Sequence, residues 1–430
     1  MAVLAAACVA AAQPRGFVAV RGGQLIANGR PYRFVGTNYW YGGLLGLETD
    51  KRRGIERLRH ELDFLKAQGV TNLRLMAGAE GLGLLNGVTR VGPPLQPEQG
   101  KFDREVLVGL DIVLAEMRKR NMRAVIFLSN NWEWSGGWQQ YLIWNSRLAD
   151  KWLSSKPTWD ELRDNVSKFY TCTPCADGYA AQARFVITRT NTVTKKRYTD
   201  DPTIMAWEIA NEPRPMRPAA NDAYKSWLAQ ATALVRSLDK KHLITLGHEG
   251  SIGTESIELY EQVHADKNVD YLTIHIWPKN WGWFENRRMP ELIDYPVDES
   301  VKYIKKNAAV AAKLKKPLVI EEFGLPRDGQ SYDPASTTSL RNTYYVRVLS
   351  FIVNDRFAGA DFPGKKNIVG ANFWAFGGTA KPIKGQPFWK PGDQYMGDPP
   401  MEEQGLNSVF DSDESTWKLI RSMTKGINAR

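Results

Sequence analysis

Several residue patterns that define large protein classes are scarce or missing in this sequence. Its 430 residues include five histidines, and none of these forms an HxH or HxxxH pair. Because metal-dependent hydrolases need clustered histidines, that class is not indicated, and we expect no metal and no other cofactor. No apolar run reaches the length of a bilayer span, so we expect no membrane-spanning segment. The histidines are His60, His242, His248, His264 and His275.

Long tracts of one charge are also missing. The formal net charge is +10, but the basic residues are scattered in short clusters such as 51–53 and 195–197. Nucleic-acid binding requires a concentrated basic face, so nucleic acid is not an expected partner. A hydrophobic content of 43% and a charged content of 24% are typical of a soluble globular protein, and we expect a monomer.

Cysteine is nearly absent, with three residues in the whole chain. Cys8 lies in the N-terminal apolar segment, and Cys172 and Cys175 form CTPC. A CxxC pair can be redox-active, half of a zinc site or a local disulfide. No second CxxC exists to complete a zinc site, and the surroundings are not those of a thioredoxin-like motif. In an exported protein, a local disulfide is the simplest of the three.

Residues 1–15 are Ala-rich and resemble the apolar half of a secretory signal, although the usual basic start is missing. We therefore expect an exported protein, extracellular or periplasmic, with lipid anchoring left open. A disordered tail is the alternative.

What the chain does contain is a long alternation of strand and helix patterns. A hairpin over residues 16–32 is followed by eight strand-then-helix units, which predict parallel strands joined by crossover helices. Eight such units close a (β/α)8 barrel. A doubly wound open sheet would show a Gly-rich phosphate loop after its first strand, and none is present. We predict a single catalytic domain over residues 16–430, with long loops at the carboxyl ends of the strands. The predicted strands are residues 33–40, 71–76, 123–129, 203–209, 242–247, 269–277, 317–323 and 367–376.

Glutamates stand at the ends of two of these strands. The run TIMAWEIANEPRP, residues 203–215, is an apolar strand that ends at Asn211 and Glu212, and KKPLVIEEFG ends at Glu321 and Glu322. In a parallel barrel both ends lie on the same rim. Two carboxylates that flank a bond are what glycoside hydrolysis requires, and a separation of about 5 to 5.5 Å leads to retention of configuration.

Tryptophan usage favours a sugar substrate. Nine of the 15 tryptophans fall at predicted strand ends or in the following loops, where flat rings suit the apolar faces of pyranoses. Of these we expect Trp134 and Trp389 to pack loops together. The nine are Trp40, Trp132, Trp134, Trp138, Trp277, Trp281, Trp283, Trp374 and Trp389.

These motifs resemble glycoside hydrolase family 5, and more narrowly its endo-β-1,4-mannanases. The matching runs are GTNYWY, LRLMAG, NNWEWSGGWQQYLIW, RTNTVTKKRYTDDPTIMAWEIANEPRP, IHIWPKNWGW, KPLVIEEFG and NFWAFGG, from about Gly36 to Gly378. The resemblance implies a retaining enzyme that hydrolyses mannan, glucomannan or galactomannan on a (β/α)8 barrel.

The resemblance also implies roles for individual residues. Glu212 would be the acid/base and Glu322 the nucleophile, with Glu321 pointing away from the cleft because neighbouring strand residues face opposite sides. Asn211 would bind the sugar 2-hydroxyl, and Arg74 would keep the nucleophile ionised. Three further roles follow: His275 would lie beside both glutamates, Trp374 would form the floor under the reacting sugar, and Trp132 would be a stacking platform.

At one position the chain departs from the family pattern. Many members carry His-x-Tyr at the end of strand six, whereas this chain has His275 and Trp277. An indole N–H can donate a hydrogen bond but cannot accept one, so Trp277 is expected to shape the substrate pocket differently.

Other activities on the same barrel stay open from the sequence. The chain could act on β-1,4-glucan, or release sugars from chain ends as an exo-acting β-mannosidase if residues 150–199 or 378–404 block one end of the cleft. A carbohydrate-binding barrel without turnover is a further class, and the presence of both glutamates, Asn211 and Arg74 argues against it.

Overall fold

The computed structural model describes residues 14, 16–284, 293–353 and 359–428. The predicted N-terminal tail therefore lies outside the described residues except for Pro14, and so does Cys8.

The described chain forms an eight-stranded parallel sheet that curls into a barrel, which confirms the predicted fold. The strands are β1 (Phe34–Asn38), β2 (Asn72–Met76), β3 (Arg123–Phe127), β4 (Ile204–Glu208), β5 (Leu243–Thr245), β6 (Leu272–Ile276), β7 (Leu318–Phe323) and β8 (Ile368–Phe373). Neighbouring strands pair in the order β5-β4-β3-β2-β1-β8-β7-β6. At the seam between β5 and β6, the backbone N–H of Asp270 donates to the carbonyl oxygen of Ile244 at 2.8 Å.

Helices surround the barrel because each crossover places one apolar face against the strands. In α1, Asp50 caps the first turn by accepting from the N–H of Arg53 at 3.1 Å, and Leu58, Leu62 and Leu65 are buried. The helices are α1 (Lys51–Ala67), α2 (Arg104–Lys119), α3 (Gly137–Trp144), α4 (Trp159–Val166), α5 (Thr173–Ile187), α6 (Asn221–Leu238), α7 (Ile257–His264), α8 (Asp294–Leu314), α9 (Ser339–Val353) and α10 (Glu414–Asn428). None of the described helices has the length and apolar character needed to cross a bilayer.

The end of the barrel opposite the strand carboxyl ends is closed by the N-terminal segment, as the hairpin pattern predicts. Three short antiparallel strands, rather than two, form this cover: Ala19–Arg21, Gln24–Ala27 and Arg30–Pro31. Val18 and Leu25 are buried in one apolar cluster with residues from the barrel strands, including Phe34 and Val125. The other end of the barrel, at the carboxyl ends of the strands, contains an open cavity.

The long excursion between β3 and β4 contributes three helices, α3 to α5, to that open end. Cys172 and Cys175 form a disulfide at the start of α5, which is the local alternative among the three that the CTPC motif allows. The N–H of Cys175 also donates to the carbonyl of Cys172 at 3.0 Å.

Candidate active site

The two predicted catalytic glutamates lie together at the open end of the barrel. Glu322 belongs to β7, and Glu212 lies four residues beyond the end of β4 with a positive φ of 52°. An oxygen of Glu212 lies within 4.8 Å of an oxygen of Glu322, and both side chains are buried. This separation suits a nucleophile and an acid/base on either side of one glycosidic bond.

Arg74 organises the charges beneath this pair. Its Nη1 donates to Glu322 Oε1 at 2.5 Å, and its Nε and Nη2 hold Glu208 at 2.9 and 2.5 Å. The same guanidinium donates to Asn38 Oδ1 at 3.1 Å and to Asn211 Oδ1 at 2.7 Å. One cation therefore fixes Glu322 and Asn211 in a single network. Glu208 was not predicted, although it stands in the WEIANEP run.

Burial raises the pKa of both Glu212 and Glu322 above the ordinary glutamate value. For Glu322 the rise is large, Arg74 opposes it, and the nearby charge of Glu212 adds to it. For Glu212, the charge of Arg214 is the main opposing influence. Because Arg74 donates directly to Glu322, the pair favours a negative charge on Glu322 and the shared proton on Glu212. That distribution is the one a nucleophile and a general acid need.

His275 and Trp277 reach the pair from β6 and the residue that follows it. His275 Nδ1 lies 2.6 Å from Glu212 Oε1 and 3.3 Å from Glu322 Oε2, and burial lowers its pKa to about 4. A neutral imidazole with its proton on Nδ1 donates to Glu212. Trp277 Nε1 donates to Glu322 Oε2 at 3.1 Å, so the indole uses its single donor on this carboxylate.

The adjacent Glu321 does not line the cavity, in agreement with the sequence analysis. Its carboxylate nevertheless reaches the charged residues beneath the cavity. Its Oε2 lies 3.8 Å from Arg74 Nε and 3.7 Å from His275 Nε2. The register of β6 against β7 shifts between Ile274 and His275, which breaks the simple alternation of side chains.

An open cavity of about 550 Å³ lies above these residues. Six predicted residues line it, whereas Arg74 and His275 lie behind its wall. The lining residues are Trp132, Trp134, Trp159, Asn211, Glu212, Arg214, Glu249, Ile252, Trp277, Asn280, Trp281, Glu322, Trp374, Pro399, Met401 and Glu402.

Aromatic rings form much of this wall, but fewer of them than the tryptophan pattern predicts. Trp132 donates through Nε1 to Glu212, and Trp374 meets Trp277 edge-on at 5.8 Å. Trp138 is completely buried and stacks on Phe169 at 4.1 Å, so it belongs to the core.

The two tryptophans expected to pack loops behave differently from each other. Trp389 stacks on Tyr395 at 5.0 Å and does not line the cavity, as expected. Trp134 packs edge-on against Trp40 at 5.3 Å but also lines the cavity, so its expected role is only part of its contacts.

Residues that the sequence analysis missed complete the site. Arg214 stands in the NEPRP run and pairs with buried Glu249 at 2.6 Å. Trp159 comes from α4 in the insert between β3 and β4. Glu402 comes from the segment after β8 and is half-buried. Its Oε2 has no hydrogen-bond partner among the described residues, and burial raises its pKa to about 8.

Among the residues that the structure describes, Glu212, His275 and Glu322 could hold a metal ion by distance alone, since one ligand atom of each lies within 4.8 Å of the others. Their electrostatic setting opposes this. Glu322 is already neutralised by Arg74 at 2.5 Å, and a second cation there would be repelled by the guanidinium.

Comparison with known proteins agrees with this arrangement. The profile described as GH family 5 beta-mannosidase-like matches residues 15–429. Mannan endo-1,4-beta-mannosidase 1 of Solanum lycopersicum is 31% identical over 346 residues, covering 76% of this chain and 79% of its own. Mannan endo-1,4-beta-mannosidase 7 of Arabidopsis thaliana is 30% identical over 346 residues, covering 77% and 74%.

Solved structures lead to the same family. The glycoside hydrolase family 5 mannosidase of Rhizomucor miehei superposes with a TM-score of 0.84 at 30% identity, covering 97% of this chain and 99% of that one. The endo-1,4-beta-mannanase of the same organism has a TM-score of 0.67 at 20% identity, covering 96% of this chain and 100% of that one, and shows the shared fold. This chain belongs to the β-mannosidase-like branch of glycoside hydrolase family 5.

Proposed function

We propose that this chain is a retaining endo-β-1,4-mannanase that hydrolyses mannan, glucomannan or galactomannan. The single observation that supports the chemistry best is the separation of at most 4.8 Å between oxygens of Glu212 and Glu322. The substrate class follows from the plant relatives, which are mannan endo-1,4-beta-mannosidases by name.

The proposed reaction has two steps. Glu322 attacks the anomeric carbon while Glu212 gives its proton to the departing oxygen, and a covalent glycosyl-enzyme forms. Glu212 then takes a proton from water, which attacks the same carbon and releases the sugar with its original configuration. The starting condition of this cycle is a charge on Glu322, which Arg74 favours, and a proton on Glu212, which burial favours.

The other predicted residues support the two steps. Asn211 donates through Nδ2 to Asn130 at 3.0 Å and accepts from Arg74, which fixes its amide for the sugar 2-hydroxyl. Trp374 forms the floor under the reacting sugar. Trp132 provides a stacking surface and, through its N–H, orients Glu212.

The test is product analysis on linear mannan, with carboxymethyl cellulose in parallel. Wild type should release manno-oligosaccharides of mixed length, and Glu322→Ala should release none. The matched control is Glu98→Ala, the same change at an exposed glutamate. Activity on cellulose alone would overturn the substrate and make the enzyme a glucanase. Binding of mannan without turnover by wild type would make it a carbohydrate-binding barrel, and turnover by Glu322→Ala would overturn the mechanism.

A second candidate, an exo-acting β-mannosidase, is favoured by one observation. Pro399, Met401 and Glu402, from the segment after β8, line the same cavity as Glu212 and Glu322. A wall at this position would shorten the cleft on one side of the reacting sugar. The high similarity to the Rhizomucor miehei mannosidase adds to this candidate. In the same product analysis, mannose as the sole early product would establish it over endo action.

We further propose that residues 16–430 form a monomeric catalytic domain of an exported protein. The Cys172–Cys175 disulfide supports export, since such bonds persist in oxidising compartments. Fractionation of cells that express the chain with its own N-terminus, followed by mass measurement with and without reduction, tests export and the disulfide together. Gel filtration tests the oligomeric state.

A further inference from the structure

On the side of Glu212, the cavity wall contains a row of two tryptophan rings and one arginine that leads outward from the carboxylate. Its innermost member is Trp132, whose N–H donates to Glu212. Arg214 lies over the Trp132 ring at 5.1 Å and over the Trp159 ring at 5.6 Å. The two indoles are stacked, with centroids 6.3 Å apart and planes 27° apart.

Trp159 is the outermost member and differs from the rest in its exposure. It is 48% exposed, although it lines the cavity and belongs to α4. A large apolar ring that is exposed at the same cavity as a buried carboxylate pair offers a free contact surface. Packing within the protein does not account for the position of this ring, whereas the flat face of a bound sugar would cover it.

The first turns of α4 are positioned by contacts with the loop that carries the acid/base. A capping box joins Thr158 and Glu161 at the helix start. Arg217, five residues after Glu212, pairs with Asp160 at 3.0 Å and with Asp164 at 2.6 Å.

A second set of contacts fixes the same helix to the same loop. Arg163 donates to the carbonyl of Met216 at 2.7 Å and pairs with Glu255 at 2.5 Å. Tyr170, just beyond α4, donates to the carbonyl of Arg214 at 2.6 Å. Each exposed ion pair contributes little alone, but together these contacts link the helix that carries Trp159 to the loop that carries Glu212.

The side of the cleft follows from the chemistry of the pair. The proton donor must face the departing oxygen, so the sugars that leave first lie on the side of Glu212. Trp132 is in contact with Glu212, and Trp159 lies one ring spacing beyond Trp132. The wall formed by Pro399, Met401 and Glu402 comes from a different part of the rim, after β8.

We propose that Trp159 is a binding platform for the second sugar on the leaving-group side, supplied by the insert between β3 and β4. The ligand is a β-1,4-linked pyranoside of at least two units beyond the cleaved bond. This inference rests on the proposed function, and it predicts that the enzyme prefers substrates with long leaving groups. It applies to endo and exo action alike, because both need a leaving group on this side.

The test compares leaving groups of increasing length. kcat/KM is measured for an aryl β-mannoside, mannobiose, mannotriose and mannotetraose with wild type, Trp159→Ala and Trp159→Phe. We expect Trp159→Ala to lose about tenfold on the tri- and tetrasaccharide, mainly through KM, and to keep its rate on the aryl mannoside. Trp159→Phe should recover most of the loss. The matched control is Phe388→Ala, an aromatic 49% exposed that does not line the cavity.

Three outcomes separate failure of the inference from failure of the proposed function. Equal losses on the aryl mannoside and the long substrates would mean that Trp159 acts only through Arg214, and would overturn the platform. Unchanged rates on all substrates would overturn it as well. If wild type cleaves no mannoside, the proposed function has failed. The same comparison with cello-oligosaccharides then shows whether Trp159 binds the second sugar of the leaving group.

Discussion

The Nη1 atom of Arg74 lies 2.5 Å from Oε1 of Glu322, and both side chains are buried. Nη1 also donates to Asn38, while Nε and Nη2 donate to Glu208 and Nη2 donates to Asn211. A planar group with five donors can satisfy all four partners, whereas an ammonium on a flexible stem cannot. The position of this one cation therefore sets both the charge of Glu322 and the orientation of Asn211.

Arg74→Lys should lower kcat by roughly a hundredfold while retaining a positive charge. The lysine can reach one carboxylate but not hold Glu208 and Glu322 together. Because Glu322 loses part of the interaction that opposes its raised pKa, the acidic limb of the kcat/KM profile should move to higher pH. The control is Arg118→Lys, which changes an arginine paired with Asp201 outside the site. A profile and rate equal to wild type would contradict the role of Arg74.

Trp277→Phe replaces the indole with a smaller aromatic ring and removes the N–H that donates to Glu322 at 3.1 Å. A hydrogen bond to the ionised form lowers a carboxyl pKa, so its loss should again move the acidic limb to higher pH. We expect kcat/KM to fall roughly tenfold or more, as hydrogen bonds to charged groups are the stronger ones. The pH profile of the activity measures both effects.

The matched control for this change is Trp281→Phe. Trp281 lines the same cavity but packs edge-on against Trp283 at 4.9 Å, and its indole N–H donates to neither Glu212 nor Glu322. If both variants shift the acidic limb equally, the effect belongs to cavity shape rather than to the indole N–H.

The features that sequence patterns predict well are those that depend on residues close together in the sequence. The barrel strands are short apolar runs with local boundaries, and all eight were located within a few residues. Glu212 and Glu322 stand in contiguous motifs, so their position on one rim followed from the topology of the barrel alone. These predictions need no knowledge of side-chain contacts.

Contacts between segments that lie far apart in the sequence could not be predicted from local patterns. Glu402 enters the cavity from a segment without regular structure, and Trp159 enters from an insert whose docking depends on ion pairs such as Arg217 with Asp160. The orientation of Glu321 depends on a register shift at Ile274 and His275, which alternation along a single strand cannot reveal. In each case the deciding partner lies far away along the chain.

Glu212→Ala should separate the two chemical steps. With an aryl β-mannoside, whose leaving group needs no proton, the covalent intermediate should still form. Its hydrolysis should slow by roughly a thousandfold because no group activates water. Added azide, which needs no base, should attack the intermediate, restore turnover and yield the β-mannosyl azide.

The complementary control for that experiment is Glu322→Ala, in which azide can replace the missing nucleophile and would give the α-mannosyl azide. Product configuration by NMR therefore distinguishes the two roles. If Glu212→Ala yields the α-azide, the assignment of acid/base and nucleophile is reversed.

A buried pair of histidines behind the active site should control stability in acid. The rings of His248 and His264 lie 5.1 Å apart, and both are fully buried. His264 Nδ1 lies 2.7 Å from the carbonyl of Tyr260, to which it donates, while its Nε2 has no hydrogen-bond partner among the described residues. Burial lowers the pKa of His264 to about 3 and that of His248 well below its ordinary value.

The direction of the effect depends on whether the folded or the unfolded state binds more protons. Below about pH 6.5 the unfolded chain protonates both histidines, whereas the folded chain keeps His264 neutral down to about pH 3. The free energy of unfolding should therefore fall as the pH drops through this window, by up to about 1.4 kcal/mol per pH unit for each histidine.

His264→Asn keeps a donor near the Tyr260 carbonyl but cannot be protonated, so the free energy of unfolding of this variant should fall less steeply with acid. Urea unfolding between pH 4 and 7 measures the slopes, with His60→Asn, at an exposed position on α1, as the control. Equal slopes for wild type and His264→Asn would show that His264 does not limit the stability of the barrel in acid.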